Sequence, residues 1–382
     1  MKVLFIASEN NMYSGAFLSL VTLVDLLRKR HFIEPLVVLP YRDNGKKLLE
    51  EKEIPYVTIR SCNWIEPITS EKKVLPFIKK NFEIVYNIIP ILRIAMLAKK
   101  NCIDLIHTNS TYSYVGNKAG FLAKIPVIWH LREFLEEDQN NKIWYRKFGY
   151  KTISKAAKVV TISDSLKEKY MKLLENDNLV TIPNGIDSDK FYDSNHKYSS
   201  DGIVRCVCVG GLYKNKGHEI IIRAAKIIKE KEKIPFTIEI VGDGAYREYL
   251  EKLVQQLELN DCILFSGFHR DVVPFYKKSD IVIMSSYSEA FGRVTVEAMM
   301  QGLLVVGADS AATREILMNG EYGILFKNKD YEDLANKMAF AMNNPKWRVD
   351  MAQKGQKYAN RYYTAEKNAD RIFDLYNHVL HR

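Results

Sequence analysis

At 382 residues the chain is longer than one hydrophobic core commonly organises, so two domains of roughly 150 to 200 residues are expected. Its 47% hydrophobic and 27% charged residues, free of low-complexity tracts, exclude a disordered or fibrous chain. Five cysteines without a CxxC pair or a His cluster at zinc spacing exclude a disulfide framework and a structural zinc site, and read as reduced and mostly buried.

In chain order, the first element is the apolar run MKVLFIA, which stops at Ser8-Glu9-Asn10 without a small-residue cleavage pattern and so reads as a strand, not a leader. The loop Ser8 to Ala16, containing Gly15, leads into the helical pattern GAFLSLVTLVDLLRKR and the strand LVVLP. Net charge is +10, and residues 1–200 hold 30 Lys+Arg against 22 Asp+Glu, a difference of +8. Much of that excess falls in 72–100, where Lys72, Lys73, Lys79, Lys80, Arg93, Lys99 and Lys100 face the single acid Glu83 and are interleaved with apolar residues from Val74 to Leu97. Two readings stay open for this segment. It is a basic amphipathic element that rests on an anionic bilayer, or a core-packing helix pair with a solvated basic rim, a pattern that Pro90 interrupts. No nucleic-acid motif accompanies the charge, so no nucleic-acid partner is expected. No run reaches the roughly 18 to 20 apolar residues of a bilayer-crossing helix. The expected location is the cytoplasm, with peripheral contact at the inner face of the cell membrane through 72–100.

The strands DLIHTN, VIWHL and VVTIS follow, alternating with helices such as SDSLKEKYMKLLE, which implies a parallel sheet covered on both faces. His107 and His130 end strand patterns, where cleft residues of an open α/β sheet belong. A neutral imidazole there either donates to a ligand hydroxyl or a developing charge, or is a satisfied structural residue. After the polar linker from Asp193 to Gly202 the cycle restarts: VRCVCVGG, a helix from His218 to Lys229, FTIEIVGDG, a helix from Tyr246 to Leu257, CILFSG, DIVIMSS, LLVVGA and YGILF. The fold class is therefore α/β, with two Rossmann-like doubly wound domains, 1–192 and 200–361, facing a central cleft. A C-terminal helix of 362–382 is expected to pack back on the first domain.

Two segments carry the chemistry. Ser285 to Met299 follows the strand DIVIMSS and opens a helix, so its first amides point outward at the carboxyl end of a parallel strand, where anionic or hydroxyl-rich ligands dock. Glu289 and Glu297, roughly 12 Å apart along a helix, can grip hydroxyls at opposite ends of an extended ligand. The alternative makes Glu289 a helix-dipole acid and Glu297 a surface residue. In Val207 to His218, Gly210 and Gly211 let backbone approach a phosphate, and Lys216 at the helix start can neutralise a pyrophosphate. This is neither GxGxxG nor GxxxxGK[ST].

Taken in order, these segments resemble the retaining GT-B glycosyltransferases of family 4, a group that includes many enzymes of bacterial surface polysaccharide assembly. The likeness is densest from Ile182 to Phe326: Ile182-Pro183-Asn184-Gly185-Ile186-Asp187, VGDG, FSGFHRDVVPFYKKSDIVIMSS, Glu289 to Glu297, then Glu315 and Gly323 to Phe326. The resemblance implies that Glu289 and the amides of Ala290, Phe291 and Gly292 hold the donor sugar and that Glu297 binds the ribose. Lys216 pairs with the diphosphate beside Gly211 and Gly242, Phe268 to Arg270 flank the base, and Val294 and Thr295 lie against the phosphates. His130 corresponds to a histidine near the anomeric carbon, and Gly15 to a loop closing over the phosphates. It further implies a hexose or N-acetylhexosamine donor, UDP-linked rather than GDP-mannose, a lipid-linked or glycan acceptor, and no cofactor.

Where the family often carries Arg after the first glycine of the phosphate loop this chain has Gly211, and Lys214, Arg205 or Arg293 is expected to substitute. Ala311-Ala312 stands where Gly-Gly is usual. No DxD pair ends a strand, so a metal-independent departure of the diphosphate is expected, with fixed dipoles and cations meeting its charge. Two other readings share the fold class: an epimerase of the UDP-GlcNAc 2-epimerase type, and an NAD(P)-dependent oxidoreductase, which lacks its GxGxxG here.

Overall fold

The computed structural model describes residues 1–68, 74–174, 176–232 and 234–381. It divides into two units, Met1–Gly185 with Ala365–Arg382, and Ile186–Thr364. The division falls inside the IPNGID segment, ahead of the polar stretch 193–202. Ile186 donates its N–H to the Tyr363 carbonyl at 2.8 Å, so the second unit ties together its own two chain ends.

The first unit is built on a seven-stranded sheet in the spatial order Tyr56–Thr58, Glu34–Leu39, Lys2–Ile6, Leu105–Asn109, Val127–Leu131, Lys158–Thr161, Leu179–Thr181. All of its pairings are parallel. The inner strands read as continuous apolar runs because helices cover both faces; in Lys2–Ile6, Val3, Leu4 and Phe5 are fully buried. On one face Gly15–His31 packs with Ala365–Val379, where Asp370 accepts from His31 at 2.8 Å and Phe373 stacks on the same ring. On the other face lie Ile88–Lys100 and Val115–Ala123.

The second unit carries a six-stranded sheet in the order Ile263–Gly267, Phe236–Val241, Val204–Val209, Ile281–Met284, Leu304–Ala308, Ile324–Phe326, again parallel throughout. Both sheets start from a central strand, grow to one side and then reverse to the other. The reversal lies between Lys2–Ile6 and Leu105–Asn109 in the first, and between Val204–Val209 and Ile281–Met284 in the second. At such a switch point the loops leaving the carboxyl ends diverge and open a crevice, the usual ligand site of open α/β sheets.

The segment 74–100 corrects two expectations; Lys72 and Lys73 lie outside the described residues. Helices Val74–Tyr86 and Ile88–Lys100 are separated only by Asn87. Pro90 does not interrupt the pattern, because it occupies the first turn of the second helix, where its missing N–H would have no intrahelical partner. The span Phe77–Lys100 is also long and apolar enough, by length and composition, to cross a bilayer. Counting uninterrupted apolar residues missed it because scattered charges break the run without making the span polar.

Candidate active site

The carboxyl end of the second sheet brings the two sequence segments together at its switch point. After Val204–Val209 the chain passes Gly210 and Gly211, forms the short turn Lys214–Lys216, and enters helix His218–Lys231 through Gly217. Lys216 therefore closes that turn, two residues ahead of the first residue of the helix. After Ile281–Met284 the chain runs alongside this turn: Tyr287 donates its N–H to the Asn215 carbonyl at 2.9 Å and Ser285 Oγ donates to the Lys216 carbonyl at 2.8 Å. The approach is close enough that a Cβ on Gly217 would sit 2.2 Å from the Ser285 carbonyl oxygen.

This zippering places Lys216 Nζ 2.9 Å from Glu289 Oε1, both side chains mostly shielded from solvent. The cation expected at a diphosphate and the acid expected at a sugar, 73 positions apart, thus form one ion pair. Glu289 itself lies in the loop ahead of helix Arg293–Met300, whose N-cap is Gly292 with φ 76°. The two acids are therefore not spaced along one helix, as the sequence suggested, because Gly292 takes a left-handed conformation and starts the helix late. Ala290 and Phe291 bury their side chains, and the Glu289 carbonyl accepts from the Ala312 N–H at 3.3 Å, which braces the loop against the Ala311–Ala312 turn.

Glu297 is buried, not a surface residue; it accepts from Arg293 at 3.3 Å and from the Tyr276 hydroxyl at 3.4 Å. Val294 is partly exposed and Thr295 fully buried, its hydroxyl without a hydrogen-bond partner. Gly242 ends the neighbouring strand so near the Gly210 carbonyl that an added Cβ would sit 1.9 Å from its oxygen. Phe268 and Arg270 are exposed on the loop after the edge strand Ile263–Gly267, two strands from the switch point.

Of the three substitutes for the missing arginine, Arg205 is at the wrong place. It is the second residue of its strand, at the amino end of the sheet, tied to Asp201 and Ser199. Arg293 is paired with Glu297. Lys214 is exposed in the turn beside Lys216. Among the described residues no group of three or more His, Cys, Asp or Glu is placed to hold a metal ion.

The first unit has its own cluster at its switch point. His107 and His130 are fully buried, and His107 Nε2 lies 3.3 Å from His130 Nδ1. Tyr376 of the C-terminal helix places its hydroxyl 2.6 Å from His107 Nδ1. Arg132, missed in the sequence although two residues from His130, is buried and donates to His130 Nδ1 at 3.3 Å and to Asn109 and Asn184. Burial, then the Arg132 charge, pushes the His107 pKa down to about 3, and burial, Arg132 and His107 hold His130 well below its usual value. A guanidinium can only donate, so Nδ1 of neutral His130 accepts and Nε2 bears the proton. That Nε2 has no hydrogen-bond partner. Glu9, hydrogen-bonded by Ser14, has its pKa raised by burial, and Gly15 beside it is exposed. The first unit also holds a cavity of about 230 Å³ lined by Ser8, Tyr41, Asn63, Ser113 and the Lys80–Glu83 pair.

Both units together match Anabaena HepE in complex with UDP, with a TM-score of 0.80 at 22% sequence identity over 98% of this chain and 99% of that one, which defines the GT-B glycosyltransferase fold. The profile of the family Glycosyl transferases group 1 matches residues 195–358, and that of Glycosyltransferase Family 4 matches residues 14–190. The chain belongs to the family 4 glycosyltransferases. The UDP-Gal:alpha-D-GlcNAc-diphosphoundecaprenol alpha-1,3-galactosyltransferase of Escherichia coli is 25% identical over 79% of this chain and 82% of its own length. An uncharacterized glycosyltransferase of Haemophilus influenzae is 24% identical over 56% of this chain, and the match spans 59% of that relative.

Proposed function

We propose that the chain transfers a hexose or N-acetylhexosamine from a UDP-sugar, in preference to GDP-mannose, to a lipid-linked or glycan acceptor, with retention of configuration and without a metal. The observation that carries this reading is the Lys216–Glu289 pair at the second sheet's switch point, 2.9 Å apart beside the start of helix Arg293–Met300. A cation and helix-start amides suit a departing diphosphate, whose charge grows as the glycosidic bond breaks. A carboxylate beside them suits the sugar hydroxyls. The UDP held by HepE and the lipid diphosphate acceptor of the Escherichia coli relative support the donor and acceptor classes. First-unit residues receive the acceptor, and His130 offers its Nε2–H to a sugar hydroxyl.

The test is product analysis with a panel of UDP- and GDP-sugars, with and without undecaprenyl-diphosphate-linked acceptors. Transfer from a UDP-sugar that persists in EDTA and preserves the anomeric configuration, read by proton NMR, supports the proposal. Inversion of configuration, dependence on a divalent cation, or conversion of the nucleotide sugar into its epimer without acceptor would each overturn the corresponding part.

A further inference from the structure

Helices Val74–Tyr86 and Ile88–Lys100 present two faces with the same repeat. The inner face uses Lys80, Glu83, Asn87, Pro90, Ile94 and Ala98. Lys80 pairs with Glu83 at 3.0 Å, the Asn87 side chain bonds both backbone groups of Cys62, and Ile94 and Ala98 are completely buried in the first unit's core. The outer face carries Ile78, Phe82, Val85, Ile89, Leu92 and Met96, spaced alternately by four and three residues, and every one of them is between 45% and 70% exposed. An unbroken apolar stripe of this length is costly in water and marks an interaction surface.

The charges beside it point to the occupant. Lys79, Arg93, Lys99 and Lys100 are exposed along the stripe, and the acid Glu83 is turned inward to Lys80. We propose that this face lies on an anionic lipid bilayer, with the stripe entering the headgroup and acyl boundary and the four bases holding lipid phosphates. The helix lies on the bilayer and does not cross it, since crossing would strip Ile94 and Ala98 from the core they complete. A second copy of this chain fits the stripe less well, because a like-oriented partner would bring the same bases together. Docking also sets the lipid surface one helix away from the cavity that Lys80 and Glu83 line. A lipid-linked acceptor would then reach the first unit without leaving the membrane. The docking itself does not depend on the sugar-transfer reading.

The experiment is flotation of the full chain with vesicles of phosphatidylcholine alone and of phosphatidylcholine mixed with phosphatidylglycerol, in the absence of any sugar nucleotide. The expected result is binding to the mixed vesicles only, declining as salt is raised. R93E and K99E should each weaken partitioning by about fivefold or more. The double variant F82D/L92D should abolish it while thermal unfolding stays at the wild-type temperature. Equal binding to both vesicle types, or unchanged binding of these variants, would overturn the proposal. So would retention in the membrane after alkaline carbonate extraction, which would mean a crossing helix, or a dimer in sedimentation equilibrium that F82D/L92D dissolves.

Discussion

The hydroxyl of Tyr376 sits 2.6 Å from Nδ1 of His107, joining the last helix of the chain to the fourth strand of the first sheet across 269 positions. From there the contacts run through His107 Nε2 to His130 Nδ1, which Arg132 also reaches at 3.3 Å. The chain leaves one open end, His130 Nε2–H. Nitrogen-15 NMR of the imidazoles is expected to show His130 protonated at Nε2 and not at Nδ1; the opposite tautomer would refute the arrangement. Tyr376→Phe leaves the buried Nδ1 of His107 without its partner and is expected to cost about 1 to 3 kcal/mol in urea unfolding.

Lys216 and Glu289 separate in their effects although they touch. Lys216→Ala is expected to weaken UDP and UDP-sugar alike by about 10- to 100-fold, the range of a lost charge-assisted contact. Glu289→Gln is expected to leave UDP affinity near wild type and to remove the extra affinity contributed by the sugar. Calorimetric titration of both ligands checks this, and a uniform loss in Glu289→Gln would place that residue at the phosphates instead.

Thr295 allows a substitution whose two effects have opposite signs. Its hydroxyl is buried without a partner, so Thr295→Val is expected to leave stability unchanged or raise it by up to about 1 kcal/mol. If the hydroxyl serves a phosphate, UDP affinity should fall by about tenfold in the same variant. Unaltered affinity would show that Thr295 only fills the core.

Three glycines differ in what a methyl group would meet. Gly242→Ala and Gly217→Ala would drive a Cβ to 1.9 Å and 2.2 Å from backbone carbonyl oxygens, and each is expected to cost about 3 kcal/mol or more. Gly202→Ala meets nothing within 4 Å but keeps a φ of +80°, so about 1 to 2 kcal/mol is expected. Denaturant midpoints of the three variants give the ranking, which equal losses would contradict.

The buried histidines give stability a pH dependence. Burial, followed by the Arg132 charge at His107 and the Lys216 charge at His218, lowers their pKa values to about 3 and about 4, and His130 is shifted the same way. In the unfolded chain each titrates near ~6.5. As pH falls the unfolded state takes the protons first, so stability is full above ~6.5 and is lost towards the folded pKa values. Each histidine contributes about 1.4 kcal/mol per pH unit in that window. Urea unfolding between about pH 7 and about pH 5 should show the slope, and His218→Gln should reduce it by one such increment; a flat profile would refute the assignment.

Legible along the chain were the α/β class, the restart of the cycle after residue 200 and the segments that lie at the carboxyl ends of strands. Apolar runs with period-breaking turns carry that information locally, as in VRCVCVGG and DIVIMSS. The sequence also supplied Lys216, Glu289 and His130 as candidates. Their partners emerge only on folding: Lys216 meets Glu289, Glu297 is buried with Arg293 and Tyr276, and His107 is held by a tyrosine from the far end of the chain. The fold also shows which face of the 74–100 helices is left bare. Hydrogen bonds and burial between distant segments depend on strand order and helix docking, and no periodicity within a segment encodes what another segment will bring against it.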